Sequence, residues 1–338
     1  MNISVFVIVI LLFCSGKVFS QDMLSQIMHQ ISETTDSEKK VSLLLEATDL
    51  YFYENSDSAF LYSLQANDIV NTTNFKNDSL KAESELSLGS LYGIIQDTSK
   101  AFKHLDNAIR IAEKQQMTSI LADCYGNKGL NYGYVGVYDQ AMINHEKSRN
   151  LHTELNDLLG ISIANNNIGI MYLDLKAYDK AISYFEENYK IDLQLGDMHD
   201  KAITLFNLGL AMKGKKNYDE ALAYFLSCKA IADSLGFKYS LMRISGSLGE
   251  LYDKKNMQKL SFEYSQRSYS LAIEFGQKPD IAMSAIYIAK FLNKQKKYNE
   301  ALEMGNEALN YINDISSREI KATIYKTVAD SYYGLNEF

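Results

Sequence analysis

The chain has 338 residues, and its 34 lysines and arginines against 42 aspartates and glutamates give a formal net charge of −8. An acidic chain is not attracted to phosphate groups, which argues against a nucleic acid or an anionic membrane as partner. Three cysteines exclude a disulfide framework, so the fold must be held together by its core.

The first twenty residues have the pattern of a secretory signal peptide. Residues 5–14 form an apolar run that is too short to span a bilayer but suits the centre of such a signal. Val18 and Ser20 are small residues placed before a cut after Ser20. The alternative is an ordinary buried segment, since no lysine or arginine precedes the run. Phe13 beside Cys14 argues against a lipid-modified cysteine. We therefore expect export to the periplasm or the cell exterior.

Beyond residue 20 the composition indicates a chain that is almost entirely helical. It has one proline, Pro279, and no tryptophan, and proline is the residue that helix interiors exclude most strongly. No later segment approaches the length of a membrane helix. Residues 21–37 carry no repeated pattern, so we expect an irregular lead-in or a capping segment there.

From residue 38 to the end, one pattern recurs about every forty residues. Each copy has a small residue, a large residue three places later and usually an alanine twelve places later. Apolar residues at i, i+3 and i+7 give each segment a single stripe, as in an amphipathic helix. Registered copies at such a period indicate a solenoid of helix pairs. The small residues are Ala47, Gly89, Gly129, Gly169, Gly209, Gly249, Ala289 and Ala329.

A second recurring position follows the small residue by sixteen places. Phe185 and Phe225 occupy it in two copies, and Tyr264 would occupy it in another if one loop residue were missing. His145 holds the same position, which favours a packed core histidine over a ligand. The glycine or alanine is expected to let two helices approach closely, with the bulky residue filling the space beside it.

We number the positions within one copy so that the small residue is the eighth. Tyrosine or leucine then stands at the eleventh position, alanine at the twentieth and phenylalanine at the twenty-fourth. This arrangement resembles the tetratricopeptide (TPR) repeat. The resemblance covers about residues 38–338 and implies an all-α TPR superhelix of about seven full repeats plus the first helix of another. The period is about forty residues rather than about thirty-four, so the helices should be longer by about one turn in total. The signature tryptophan is absent. Forty-residue versions are similar to those of bacterial signalling and sensor TPR proteins.

The sequence contains none of the common catalytic or phosphate-binding motifs. His199 and Asp200 lie in a turn whose counterparts in other copies lack these groups, which makes a metal site improbable. Cys124 and Cys228 are more than two repeats apart, so we expect free thiols packed as small apolar side chains. We therefore expect no enzyme, no metal and no cofactor.

In TPR proteins, the side of the first helix opposite its packing stripe lines a concave groove. Three consecutive copies place asparagine at the sixth position and an aliphatic residue at the ninth. An amide offers both a donor and an acceptor, so it can pair with a peptide backbone. The alternative, equally open at this point, is that the asparagines bond to adjacent helices and the aliphatic side chains pack between repeats. The candidate peptide-binding residues are Asn127, Asn167, Asn207, Leu130, Ile170 and Leu210.

These features predict an exported, non-enzymatic module that binds a protein or an extended peptide, as the sensor or scaffold segment of a bacterial signalling system. The alternative is a free-standing extracytoplasmic scaffold for assembling a multiprotein complex. Phe338 falls where a second helix should begin, so we expect either further sequence or a frayed, apolar last helix. The mature region itself is expected to contact no membrane, with a tether only if the natural chain continues past Phe338.

Overall fold

The computed structural model describes residues 21–52, 56–72, 74–315 and 318–336. Within these ranges all regular structure is helical, as expected from the composition, and no strand is present. The predicted signal peptide at residues 1–20 and the expected start of a further helix at Phe338 lie outside the described residues. None of the described helices is both long enough and apolar enough to cross a membrane.

Sixteen α-helices and one short 3-10 helix follow one another along the described chain. The first eight α-helices are α1 Gln21–Glu33, α2 Ser37–Tyr51, α3 Ser56–Val70, α4 Asp78–Ile94, α5 Thr98–Gln115, α6 Thr118–Tyr134, α7 Tyr138–Glu154 and α8 Leu158–Asp174. The others are α9 Tyr178–Leu195, α10 Met198–Gly214, α11 Tyr218–Leu235, α12 Lys238–Lys254, α13 Gln258–Glu274, α14 Lys278–Lys294, α15 Tyr298–Asn310 and α16 Arg318–Leu335. The 3-10 helix Ile312–Asp314 lies between α15 and α16.

The turns that join α4 to α15 in succession, and the end of α16, share one backbone geometry. A residue with positive φ, between 54° and 77°, follows the helix in each of these cases. In most of them the next amide then bonds back to a carbonyl five residues earlier, as Asn217 does to Met212 at 2.9 Å. This is the left-handed helix end in which glycine is favoured and asparagine is tolerated. The positive-φ residues are Gln96, Gln116, Gly136, Asn156, Lys176, Gly196, Lys216, Gly236, Asn256, Gly276, Lys296 and Asn336.

These turns set the forty-residue period as two steps of twenty, and they correct one prediction. Because Gly236, Asn256 and Gly276 follow one another at the same spacing as elsewhere, no loop residue is missing before α13. Ser265, not Tyr264, therefore occupies the position opposite Gly249, where a built Cβ would lie 2.6 Å from the Ser265 oxygen. Tyr264 stacks on Tyr252 instead, with ring centroids 5.4 Å apart.

The segment before the first helix pair is itself helical, so the irregular alternative is wrong for residues 21–33. Helix α1 lays Ile27 and Ile31 on the apolar cluster that contains Val41 and Leu44 of α2. Asp36 then caps α2, accepting hydrogen bonds from the backbone amides of residues 38 and 39. Helix α1 therefore acts as a cover for the first pair.

Contacts divide the chain into two compact units, with the division inside α8 between Met171 and Tyr172. In the first unit, α2 packs on α3, α4 on α5 and α6 on α7. In the second unit, α10 packs on α11, α12 on α13 and α14 on α15. Within each unit the first helices of neighbouring pairs also touch, as α4 does α6 and α12 does α14. A first helix therefore has more than one packed side.

Candidate functional site

Four of the six predicted groove residues lie in the unit that ends at Met171. Asn127 and Leu130, on α6, are partly exposed, and Nδ2 of Asn127 donates to the Asp123 carbonyl oxygen at 3.0 Å within the same helix. On α8, Asn167 and Ile170 have only 4% and 1% of their surface exposed. The side chains on α6 are therefore accessible, and those on α8 are covered.

The other two predicted residues lie on α10 in the second unit. Asn207 is fully buried, whereas Leu210 is partly exposed. Residues on a first helix become buried because such a helix packs on several neighbours. Helix α12, for example, is contacted by its own second helix, by the preceding second helix and by the next first helix. For Asn167, Asn207 and Ile170, burial favours the alternative that these side chains pack between helices. Peptide binding by the six residues stays a prediction.

A charged cluster lies on the first helices of the second unit. Nζ of Lys213, on α10, is 2.6 Å from Oε2 of Glu250 on α12. Asp253, one turn further along α12, lies 3.4 Å from Nζ of Lys290 and 3.9 Å from Nζ of Lys294, both on α14. We call this set the lysine cluster. Its members are Lys213, Lys254, Lys290, Lys294, Glu250 and Asp253.

The lysine cluster carries an excess of positive charge in an acidic chain, since four lysines surround two carboxylates. Partial burial acts to raise the pKa of Glu250, but attraction to Lys213, Lys254 and Lys290 outweighs it, so the pKa lies below its usual value. Glu250 thus remains ionised. Lys254 is exposed and the Lys294 side chain is half-exposed, so these two ammonium groups face solvent.

A buried polar network lies in the first unit, around Glu85 of α4. Nδ1 of His104 is 2.7 Å from Oε2 of Glu85, and the Nδ2 atoms of Asn107 and Asn67 donate to the carboxylate at 3.3 and 3.4 Å. Burial acts to raise the pKa of Glu85, but the hydrogen bonds from His104 and Asn107 outweigh it. The pKa of Glu85 therefore lies below its usual value. The ring of Tyr92 stacks on His104, with centroids 5.4 Å apart.

This network satisfies a buried carboxylate, as buried polar groups require. The sequence analysis missed it. Glu85 stands at the fourth place of its repeat, which later copies fill with core residues such as Leu205 and Ala285. An acid at a core position was the signal that could have revealed it, because a buried carboxylate needs donors nearby.

His145 is a core residue, as predicted. Its ring is fully buried against Gly129, where a built Cβ would lie 2.6 Å from Cε1 of the imidazole. Burial lowers the pKa of His145 to about 3, because the charged form cannot be hydrated there. The ring is therefore neutral at physiological pH.

Asp197, His199 and Asp200 bring three potential metal ligands within 4.8 Å of one another at the start of α10. Oδ1 of Asp197 already accepts hydrogen bonds from the backbone amides of His199 and Asp200, at 2.7 and 3.2 Å. Such a carboxylate is the usual cap of a helix N-terminus. The group is accounted for by capping α10.

Cys124 and Cys228 are both free and fully buried, which confirms the prediction of packed thiols. Burial raises the pKa of each thiol to about 12. Sγ of Cys228 donates to the carbonyl oxygen of Ala202 at 3.1 Å. Because the thiolate is the nucleophile, neither cysteine is poised for catalysis.

Comparison with solved structures gives several chains with the same fold. The apo form of RapI is 19% identical, with a TM-score of 0.62, and the match covers 85% of this chain and 99% of RapI. The apo quorum sensor NprR from B. thuringiensis is 15% identical, with a TM-score of 0.64 and coverage of 88% and 83%. At these identities the likeness shows the fold alone.

A third similar structure is a Signal Transduction ATPase with Numerous Domains from Pyrococcus horikoshii, which has a tetratricopeptide repeat sensor. It is 15% identical, with a TM-score of 0.71, and the match covers 92% of this chain but only 46% of the larger protein. No curated protein matches the sequence significantly. The tetratricopeptide repeat family model matches residues 160–234. Residues 160–234 are therefore tetratricopeptide repeats, and the flanking helix pairs between α4 and α15, which keep the same spacing, have the fold of such repeats.

Proposed function

We propose that the chain is a non-enzymatic binding module of a bacterial signalling system, and that it recognises an acidic segment of a protein or peptide. The lysine cluster carries this proposal, because it concentrates positive charge on the first helices of a chain whose net charge is −8. Structures of similar fold include a quorum sensor and a tetratricopeptide repeat sensor, which supports a sensing role.

The cluster suits carboxylates on an extended segment. Lys254 and Lys294 keep their ammonium groups in solvent, so a ligand can reach them without breaking the contact between Lys213 and Glu250. Leu210, on the same helix as Lys213 and three residues before it, is partly exposed and offers an apolar contact beside the charges. In the first unit, Asn127 and Leu130 remain a separate predicted contact surface.

Reversing the two solvent-facing charges should weaken binding. We expect the double variant Lys254→Glu/Lys294→Glu to lower the affinity for an acidic peptide by about tenfold or more, because attraction is replaced by repulsion. The measurement is the dissociation constant for peptides selected from a random library on the unmodified chain, at low and high salt. Screening should reduce the difference at high salt.

The matched control is Lys190→Glu/Lys259→Glu, which makes the same charge change on exposed residues of the second helices α9 and α13. This control should bind the selected peptides within about twofold of the unmodified chain, since its charges lie outside the cluster. Equal weakening by both double variants would show a general charge effect. Selected peptides without acidic residues would contradict the proposal directly.

We also propose that the chain is exported and cut after Ser20, on the strength of the apolar run at residues 5–14 and the small residues that follow it. Intact-mass analysis of secreted or periplasmic protein should find a chain that begins at Gln21 or its pyroglutamate form. Recovery of the chain only in the cytoplasm, beginning at Met1, would rule out export.

A further inference from the structure

Asp174 is the last residue of helix α8 and belongs to the second unit. Its side chain is partly buried, and Oδ2 is buried without a hydrogen-bond donor from any residue that the structure describes. A carboxylate is also disfavoured at a helix C-terminus, where the backbone carbonyl groups concentrate negative charge. Burial, the missing donor and the helix end therefore all act against a negative charge at this position.

The pKa of Asp174 agrees with these surroundings. Burial raises the pKa to about 6, and no other described group acts on it, so no cation offsets the burial. Other buried carboxylates of the chain differ in this respect. Glu85 is held by hydrogen bonds, and Oε2 of Glu250 lies 2.6 Å from Nζ of Lys213. The fold compensates those two charges but not the charge of Asp174.

The place of Asp174 in its repeat is shared by two lysines of the lysine cluster. Asp174 stands at the thirteenth place of its repeat, which Lys254 holds in α12 and Lys294 in α14. This place follows the ninth by four residues and lies opposite the packing stripe, on the side expected to line the groove. We call Asp174, Gly214, Lys254 and Lys294 the thirteenth-place row.

Gly214 stands between Asp174 and Lys254 in this row, and an aromatic ring takes the space of its missing side chain. A built Cβ at Gly214 would lie 2.3 Å from Cε1 of Tyr178. Tyr178 begins helix α9 and is partly exposed. The row therefore presents a carboxylate, then a tyrosine ring, then two ammonium groups. A carboxylate next to an aromatic ring is a combination that recognises an ammonium or guanidinium group.

We propose that Asp174 and the ring of Tyr178 form a subsite for a lysine or arginine side chain of the segment that the lysine cluster binds. The inference rests on the proposed function, since it assigns the opposite end of the same ligand. A bound cation supplies the donor and the opposite charge that Asp174 lacks, and its aliphatic stem lies against the tyrosine ring. The ligand is then an extended segment with a basic residue at one end and acidic residues at the other.

Helix packing gives the spacing expected within such a ligand. Neighbouring packed helices lie about 8–10 Å apart, and two such steps lead from the first helix of Asp174 to that of Lys254. An extended chain advances about 3.3 Å per residue. The basic residue and the nearest acidic residue of the ligand should therefore be about five or six residues apart.

Peptide selection on two chains tests this assignment. A random library of linear peptides is selected on the unmodified chain and, separately, on Asp174→Asn, which keeps the shape of the side chain and removes its charge. Acidic residues should be enriched on both chains, because the lysine cluster is unchanged. Lysine or arginine at the expected spacing should be enriched on the unmodified chain only. Glu263→Gln, which neutralises an exposed carboxylate on α13, is the matched control and should keep both preferences.

A double-mutant cycle measures the contact itself. Replacing the basic residue of a selected peptide with norleucine should weaken binding to the unmodified chain by about tenfold. The same replacement should change binding to Asp174→Asn by less than about twofold, because the partner charge is already absent. Tyr178→Leu should weaken binding of the basic peptide by about threefold, through loss of the ring face.

Folding stability distinguishes a ligand subsite from a structural role. Asp174→Asn should raise the urea midpoint of unfolding, because it removes an uncompensated charge from a partly buried helix end. A lower midpoint would show that the carboxylate stabilises the fold, and it would overturn the proposal. Equal enrichment of basic residues on both chains would also overturn it, because the cation is then bound elsewhere.

The selections also separate this inference from the proposed function. Acidic residues enriched on the unmodified chain, without any basic residue, would leave the proposed function standing and refute the Asp174 subsite. Basic residues enriched without acidic ones, and lost on Asp174→Asn, would support the subsite and refute recognition of an acidic segment.

Discussion

Replacing Phe225 with alanine is expected to lower the free energy of unfolding by about 3–5 kcal/mol. Phe225 is fully buried, and its ring lies so close to Gly209 that a built Cβ there would be 2.6 Å from Cε1. The Phe206 ring lies on another side, with centroids 5.5 Å apart. Close packing around a rigid glycine contact leaves little room for collapse, so removing the ring should leave a cavity. Urea unfolding, with amide exchange in α10 and α11, would measure the loss.

A second substitution tests whether the glycine and the ring form one packing unit. Gly209→Ala alone should destabilise by about 1–3 kcal/mol, because the methyl group enters space that the ring occupies. In Gly209→Ala/Phe225→Ala the methyl group meets the vacated space, so the double variant should lose less than the sum of the single losses. Strict additivity, within about 0.5 kcal/mol, would mean that the two residues do not share a contact.

Leu226→Ala provides the matched control for these variants. It removes a large side chain from the next position of α11, but Leu226 is exposed. The expected change is within about 0.5 kcal/mol, as for most surface substitutions. Comparable losses at both positions would contradict the view that the helix crossing at Gly209 carries the stability of this pair.

The repeat architecture was readable from sequence because the same local requirement appears many times. The sequence repeats a small residue at the helix crossing and a bulky residue sixteen positions later, as at Gly209 and Phe225. The turns are less visible. The left-handed position accepts Gly236 in one turn and Lys216 in another, so its residue type alone does not mark it. Only its constant spacing does, which is why Ser265 was overlooked in favour of Tyr264.

The lysine cluster was not predictable in the same way. Its members fall at the ninth, twelfth and thirteenth places of three successive repeats, but the residue type at each place changes between repeats. Their approach depends on how neighbouring first helices lie side by side. The burial of Asn167 and Asn207 has the same origin. A pattern within one helix identifies the side that packs on its own partner, but not the contacts made with helices of adjacent repeats. Such contacts decide which polar side chains stay open to a ligand.

Replacing His145 with phenylalanine is expected to make the chain more resistant to acid. Burial lowers the pKa of His145 to about 3 in the folded chain, whereas the pKa of a histidine in an unfolded chain is about 6.5. Between these values the unfolded state binds the proton and the folded state does not. The free energy of unfolding is therefore not reduced by this proton above about pH 6.5, and it decreases as the pH falls from there toward 3. From pH 7 to pH 5 the loss should be about 2 kcal/mol.

Phenylalanine suits this position because Phe185 and Phe225 fill the equivalent one in the next two repeats, and the Phe225 ring makes the same close contact with Gly209 that His145 makes with Gly129. At pH 7 the variant His145→Phe should thus unfold at or above the urea midpoint of the unmodified chain. The stability advantage of the variant over the unmodified chain should be about 2 kcal/mol larger at pH 5 than at pH 7. His29→Gln, which removes an exposed imidazole, serves as the control and should leave the pH dependence unchanged. Parallel pH profiles for His145→Phe and the unmodified chain would show that His145 takes up its proton without unfolding, and that its burial does not set the acid limit of the fold.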